Sequence, residues 1–225
     1  MIIQCKKLTK TYKGDEGAFK AVNNATFSVK QGDFVVILGH SGSGKTTLLS
    51  LVGGLTKPDQ GEVLINNVSN WQQPDHCLST MRNKTIGFIF QFASLIPTLN
   101  VLENMVLPLC FAKHHHDHTE LAYDLLEQIG LADKGTAFPA QLSGGQQRRV
   151  AIARAFMNQP EIILADEPTG DLDEDTEGEI LSLFKKYNEN NTTFMVVTHN
   201  NDLGKSQNSP RTLHIRQGVV SSGDM

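Results

Sequence analysis

The order of apolar and polar positions divides the chain into alternating stretches, unbroken apolar runs and segments of helical spacing. Ile2 to Leu8 and Ala25 to Val29 read as strands, the second alternating Phe27 and Val29 with polar neighbours. After the turn at Gln31-Gly32-Asp33, Phe34-Val35-Val36-Ile37-Leu38 is a continuous β-branched and aromatic run, as expected of a strand buried on both faces of a parallel sheet. A glycine-rich loop follows, then a helix from about Lys45 to Val52, ended by Gly53-Gly54. Gly61 to Asn66 forms a strand beyond the turn at Pro58-Asp59-Gln60-Gly61, and Ile86 to Phe90 forms another. From Asn100 to about Met157 the spacing becomes helical. Leu121, Leu125, Leu126 and Ile129 share one face and Gly130 stops that helix; a second runs through Val150, Ala151, Ala155 and Phe156 to Pro160. Strand signals return at Ile162-Ile163-Leu164-Ala165 and at Thr193 to Val197, with an amphipathic helix carrying Ile180, Leu181 and Phe184 between them. Buried strands interleaved with helices predict an α/β core, and the helical stretch from about residue 92 to 154 predicts an inserted lobe.

Composition narrows the class. The 225 residues suit one domain with a sizeable core. With 20% charged residues and a net charge of −4, the chain lacks the basic footprint of a nucleic-acid binder. Cys5, Cys77 and Cys110 are scattered and show no C-x-x-C spacing, which predicts incidental thiols in a reducing compartment. The first residues lack the apolar stretch of a secretory signal, and no run approaches the ~20 apolar residues needed to cross a bilayer. A cytosolic chain is expected, any membrane role being borrowed from a partner.

Three motifs carry chemistry. Gly39-His40-Ser41-Gly42-Ser43-Gly44-Lys45-Thr46 satisfies G-x-x-x-x-G-K-[ST] and lies between the predicted buried strand and a helix. Glycines let backbone N–H groups turn inward around phosphate oxygens, and the helix N-terminus adds positive potential. Lys45 can reach β- and γ-phosphates, while the Thr46 hydroxyl can ligate Mg²⁺. Ile162-Ile163-Leu164-Ala165-Asp166-Glu167 is an apolar strand that delivers two carboxylates at its C-terminal end, where α/β sheets bind ligands. Asp166 suits the metal, and Glu167 suits the orientation or deprotonation of attacking water. Leu142-Ser143-Gly144-Gly145-Gln146 supplies a second helix start with an N-cap serine and two glycines, again suited to an anion.

Together these three motifs resemble the ABC ATPase family over nearly the whole chain. The resemblance implies a P-loop NTPase (RecA-like) core with an N-terminal antiparallel β subdomain and an inserted α-helical subdomain, the core being 1–91 and 155–225 and the helical part about 92–154 of a single domain. It implies ATP and Mg²⁺ as cofactors. It adds Tyr12 as the aromatic that stacks on adenine and Gln91 as the residue that touches metal and water and links core to helical lobe. Asp173 would lie in the loop that crosses the dimer interface, and His199 would contact the γ-phosphate. The implied catalytic set is Glu167, His199, Gln91 and Lys45, with Thr46, Gln91 and Asp166 at the metal. The nucleotide set is Tyr12, Gly39 to Thr47 (Thr47 included), Ser143, Gly144, Gly145, Gln146 and Asp173. In this family the signature residues of one subunit complete the site of the other, so a second ATPase chain is implied, a homodimer being the expectation and a pair with a related chain the alternative. Transmembrane permease subunits are the other implied partner, with the chain peripheral on the cytoplasmic face of the cell membrane.

Leu95 to Leu109, with Ala165 to Gly170, is similar to the lipoprotein-release, macrolide-efflux and cell-division group, which transmits force to its membrane partners. The apolar run Phe92-Ala93-Ser94-Leu95-Ile96-Pro97 is the expected dock for a cytoplasmic helix of the permease. His40 stands where many relatives have Pro, and Asp171 where this group often has Asn. Lys205 to Arg211 departs from the pattern and is lengthened around Ser209-Pro210. His114-His115-His116-Asp117-His118 invites a metal reading against the plainer one of an exposed polar linker. Two other readings compete with transport. A soluble ABC ATPase of translation or DNA repair would show two cassettes or a long coiled-coil insertion, and a non-hydrolysing ATP clamp would have no use for Glu167 and His199.

Overall fold

In the computed structural model, which describes residues 1–14, 17–111, 118–170, 172–200 and 211–222, two sheets share one buried layer. The chain runs β1 (Ile3–Gly14), β2 (Gly17–Val29), β3 (Phe34–Leu38), α1 (Lys45–Val52), β4 (Gln60–Ile65), β5 (Val68–Ser69), α2 (Asp75–Thr85) and β6 (Ile86–Ile89). It continues through α3 (Val101–Cys110), α4 (Thr119–Gln128), α5 (Gly144–Arg154), β7 (Ile162–Asp166), α6 (Glu174–Glu189), β8 (Thr193–Thr198), β9 (Arg211–Arg216) and β10 (Val219–Ser222). The larger sheet has the order β10-β9-β3-β8-β7-β6, parallel except for β10. The smaller, β2-β1-β4-β5, is antiparallel throughout.

The unbroken apolar runs are explained by a sheet covered on both faces. Phe34, Val36, Ile163, Ala165, Phe194 and Val196 point into one core with α3, α4, α5 and α6. Their neighbours Val35, Ile37, Ile162, Leu164, Met195 and Val197 point into a second core, closed by α1 and by the antiparallel sheet. The pairing Phe34↔Phe194 and Ile163↔Phe194 sets one row against Phe156 and Phe184. Phe34 and Phe194 stack at 5.2 Å, and Phe184 meets Phe194 at 5.1 Å. Each such pair contributes ~1 kcal/mol beyond burial, so Phe194→Ala would open the first core at its centre.

Strand β3 and helix α1 fall where the hydrophobic pattern placed them, and β7 and β8 run one residue beyond their expected C-terminal ends. Three differences are informative. Helix α2, DHCLSTMRNKT, escapes the periodic reading because only Leu78 and Thr85 are buried on it. Strands β1 and β2 extend well past the expected ends, pairing out to Gly14↔Gly17 as an exposed ribbon that no core face patterns. Helix α5 stops at Arg154, and 155–158 turn before Pro160. The cysteines are free thiols: Cys5 is buried, and burial pushes its thiol far up, Cys77 is half-buried and Cys110 exposed. His114 to Asp117, Asp171 and Lys205 to Pro210 lie outside the described residues. Among the described residues no three His, Cys, Asp or Glu side chains gather around a common point, and no helix is long and apolar enough to cross a membrane.

Candidate functional site

At the C-terminal edge of the parallel sheet, β3, β7 and β8 each end in functional side chains, and one cavity of 640 Å³ collects them. The loop after β3 turns through Gly42 at φ +73° and Gly44 at φ +105°. A Cβ on Gly44 would lie 1.9 Å from the Ala21 carbonyl oxygen, so only glycine fits there. Because Gly44 is also the residue preceding α1, the helix opens with no side-chain cap. Its first-turn amides are therefore free to meet an anion at the positive end of the helix. Lys45 Nζ donates to the Gly39 carbonyl at 2.6 Å and to the His40 carbonyl at 3.3 Å, and stands 3.9 Å from Glu167 Oε1. The Ser43 hydroxyl is buried without a partner, a polar atom suited to an oxygen-rich ligand.

The acid pair is tightly specified. Thr46 Oγ1 donates to Asp166 Oδ2 at 2.6 Å. Burial pushes the Asp166 carboxyl above the usual range, and the Glu167 charge adds to this; the Thr46 hydrogen bond, Lys45 and Arg148 work the other way. Glu167 takes φ +47°, the left-handed region, which costs a non-glycine residue ~1–2 kcal/mol. Its N–H donates to the Val197 carbonyl at 2.9 Å. Its Oε2 accepts from the Thr198 hydroxyl at 2.9 Å and the His199 N–H at 3.3 Å, while His199 Nδ1 lies 3.0 Å from Oε1. The His199 side chain is 75% exposed and Glu167 only 14%, so the histidine stands at the mouth and the acid behind it.

Of the expected residues, Tyr12, Ser41 to Thr47, Gln91, Asp166, Glu167 and His199 line this cavity, and Gly39 and His40 reach it through the carbonyls that hold Lys45. Ser143, Gly144, Gly145, Gln146 and Asp173 do not line it. Ser143 caps α5: its Oγ accepts from the Gln146 N–H at 3.2 Å, and Gln146 Oε1 accepts from the Ser143 N–H at 2.9 Å. Asp173 caps α6 through the Thr176 N–H and hydroxyl, which hold its carboxyl below the usual range.

Sequence reasoning missed Phe19, Ala21, Arg148 and Gly170 in the same cavity. Phe19 pairs in register with Tyr12 across β1 and β2, and the rings meet at 6.1 Å. Lys10, itself held by Asp59 at 3.0 Å and the Lys57 carbonyl at 2.9 Å, sits 5.6 Å from the Tyr12 ring centre. The available signal for Phe19 was an aromatic in the mostly polar stretch between the two expected strands. For Arg148 there was none, since one arginine on an arginine-rich helix has no local mark.

Comparison with known proteins decides the family. A family model described as ABC transporter matches residues 22–170. The chain belongs to the ABC transporter family. It is an ATP-binding cassette and an ATPase. It is 42% identical over 207 residues, 91% of each chain, to the lipoprotein-releasing system ATP-binding protein LolD of Buchnera aphidicola. It is 44% identical over 225 residues to an uncharacterized ABC transporter ATP-binding protein, MJ0796, of Methanocaldococcus jannaschii, covering 97% of this chain and 95% of that one. A dimeric structure of the MJ0796 cassette in a post-hydrolysis state with ADP and Pi superposes with a TM-score of 0.91 at 40% identity, covering 99% of both chains. The cassette's two sheets and its helical segment are those expected of a P-loop NTPase.

Proposed function

We propose that the chain hydrolyses Mg²⁺-ATP as one half of an ATP-bridged dimer on the cytoplasmic face of a membrane, and that closing this dimer moves a permease. The observation that carries the reading is the convergence of an uncapped helix start, Lys45 and two differently held carboxylates in one cavity. Loop amides and Lys45 hold the phosphates. The Thr46 hydroxyl, Asp166 and the Gln91 amide offer the hard oxygen donors that Mg²⁺ prefers. Bound there, the ion would neutralise charge on the phosphates.

The two acids divide the work. Asp166 is buried and bonded to Thr46, so it belongs to the metal. Glu167 has Oε2 engaged by Thr198 and the His199 N–H, which aims Oε1 into the cavity beside Lys45. A carboxylate fixed in this way serves as the general base or water-orienting group. His199, exposed at the mouth, contacts the γ-phosphate, and Tyr12 stacks on adenine.

Ser143, Gly144, Gly145 and Gln146 act on nucleotide held by the other chain, with Asp173 near the crossing. Support comes from their position outside this chain's own cavity and from the dimeric relative. Residues 1–91 and 155–225 form the core and about 92–154 the moving helical part. One link between them near the nucleotide is polar: Arg148 of the helical part donates to the Pro168 carbonyl of the core at 3.2 Å. A permease helix docks beside Gln91 in a groove of about 380 Å³ lined by Phe88, Phe90, Pro108 and Phe111. No residue of the expected docking run, Phe92 to Pro97, lines this groove: Phe92 is 77% exposed and Ile96 37%, whereas Leu95 packs against the core. Asn104 holds the run at Ile96, accepting from its N–H at 2.8 Å and donating to its carbonyl at 3.1 Å. Kinship with LolD favours lipoprotein release or a related force-transmitting task over channelled transport.

Glu167→Gln tests the reading. ATP affinity should stay within about threefold while turnover falls at least ~100-fold, and an ATP-bound dimer should accumulate on size exclusion. Undiminished turnover in a monomeric mutant would overturn it.

A further inference from the structure

Glu167 occupies a backbone well that L-residues rarely visit, so something must hold it there. Its side chain is anchored by β8 and the residue after it, as described. Its carbonyl is anchored from the opposite side: it accepts from the Gly170 N–H at 3.3 Å and from Arg148 Nη2. Arg148 Nε also donates to the next carbonyl, that of Pro168, at 3.2 Å. One planar guanidinium therefore grips two consecutive carbonyls, a geometry that its rigid fork matches and an ammonium cannot reproduce in full. The same group lines the nucleotide cavity and draws the Asp166 carboxyl downward.

Arg148 lies on α5, and Ser143 caps the first turn of that helix. Five residues of α-helix put them about 7.5 Å apart along a rigid rod. A displacement of Ser143 thus arrives at the Glu167 carbonyl without crossing a flexible joint. Glu167 at φ +47° and Glu167 in the extended region are two discrete states, the kind of element that transmits a small shift as a switch.

We propose that Arg148 is a positioning residue for Glu167, tying this chain's signature helix to this chain's own acid. Nucleotide of the partner's site, touching Ser143, is thereby reported to the base of the other site. The inference rests on the function proposed above, in which Ser143 serves the partner and Glu167 serves its own chain.

Arg148→Gln and Arg148→Lys in the 225-residue chain test it. Arg148→Gln should lower kcat at least about tenfold while the affinity for ATP and the ATP-driven dimer persist; Arg148→Lys, able to reach one carbonyl, should recover turnover to within about threefold of wild type. In mixed dimers carrying Arg148→Gln on one chain, vanadate trapping of 8-azido-ATP should be lost on the mutated chain, whose Glu167 has lost its anchor. Wild-type kcat in Arg148→Gln overturns the proposal. So does joint loss of kcat, ATP affinity and dimer in both variants, which marks a purely structural role, and so does trapping lost on the unmutated chain. Lys45→Ala run alongside separates the two readings. If it binds ATP normally, the nucleotide site itself is misassigned; if it fails to bind while Arg148→Gln is unaffected, only the role of Arg148 falls.

Discussion

Helices α1 and α5 both begin beside glycines and both look, in the sequence, like places for a phosphate, yet the structure finishes them differently. Gly44 leaves α1 uncapped, with Lys45 beside the open amides and a cavity in front of them. Ser143 and Gln146 close the start of α5 with a reciprocal cap, and no part of that cap faces the cavity. An open helix start is a binding site within one chain. A capped one is satisfied until something better replaces its internal hydrogen bonds, which is what a nucleotide presented by a second chain would do. The difference separates a residue that determines affinity from one that determines assembly.

Lys45→Ala should break the comparison on the open side. Removing the ammonium from the phosphate loop should weaken ATP binding by roughly 100-fold or more and abolish turnover, as read by nucleotide titration and phosphate release. Normal ATP affinity in that mutant would mean that α1 is not the phosphate end. On the capped side, Ser143→Ala should cost about 1 kcal/mol of stability, seen as a fall in Tm of about 2–4 °C. ATP affinity of the monomer should hold while the ATP-driven dimer weakens. Equal loss of monomer affinity would erase the distinction between the two helix starts.

The smallest effect concerns the acid behind the open site. The Asp166 carboxyl is pushed up by burial, so its ionised form at neutral pH opposes folding of the nucleotide-free chain. Asp166→Asn should therefore raise Tm at neutral pH while stopping hydrolysis. The sign with pH follows: as pH falls through the raised folded pKa toward the ordinary carboxylate value of about 3.9, wild-type Asp166 takes up a proton in the folded state first. The mutant's advantage should shrink accordingly. A Tm difference that grows on acidification would contradict this.

Much of the larger sheet was legible because burial on both faces leaves a local trace. Val35-Val36-Ile37 and Ile162-Ile163-Leu164 admit few other readings, and the strand–glycine loop–Lys45 order marks the phosphate end. Helix α2 was not legible, since Arg82 secures it by donating to the Gly54 carbonyl at 2.6 Å and little of it is apolar. Strand β9 was missed because only Leu213 and Ile215 of its six residues are apolar, and β10 because it has four residues; β9 is recognisable only once Leu213 and Ile215 are seen against β3. In the site, motif spacing named Lys45, Thr46, Asp166 and Glu167, while Phe19 and Arg148 went unseen.

What the sequence by itself determined is the set of groups whose chemistry depends on near neighbours. A glycine loop, a lysine and a helix start are contiguous, and two carboxylates follow one apolar strand, so composition and order suffice. Only the tertiary structure decided what distant segments do to one another. It bonded Thr46 to Asp166 across 120 positions, set Thr198 and His199 on the Glu167 carboxylate, and brought Arg148 to the Glu167 carbonyl. It also left the cap of α5 outside the cavity that it resembles in sequence. Directional hydrogen bonds act only within about 3 Å, and no local pattern encodes which parts of a folded chain come that close.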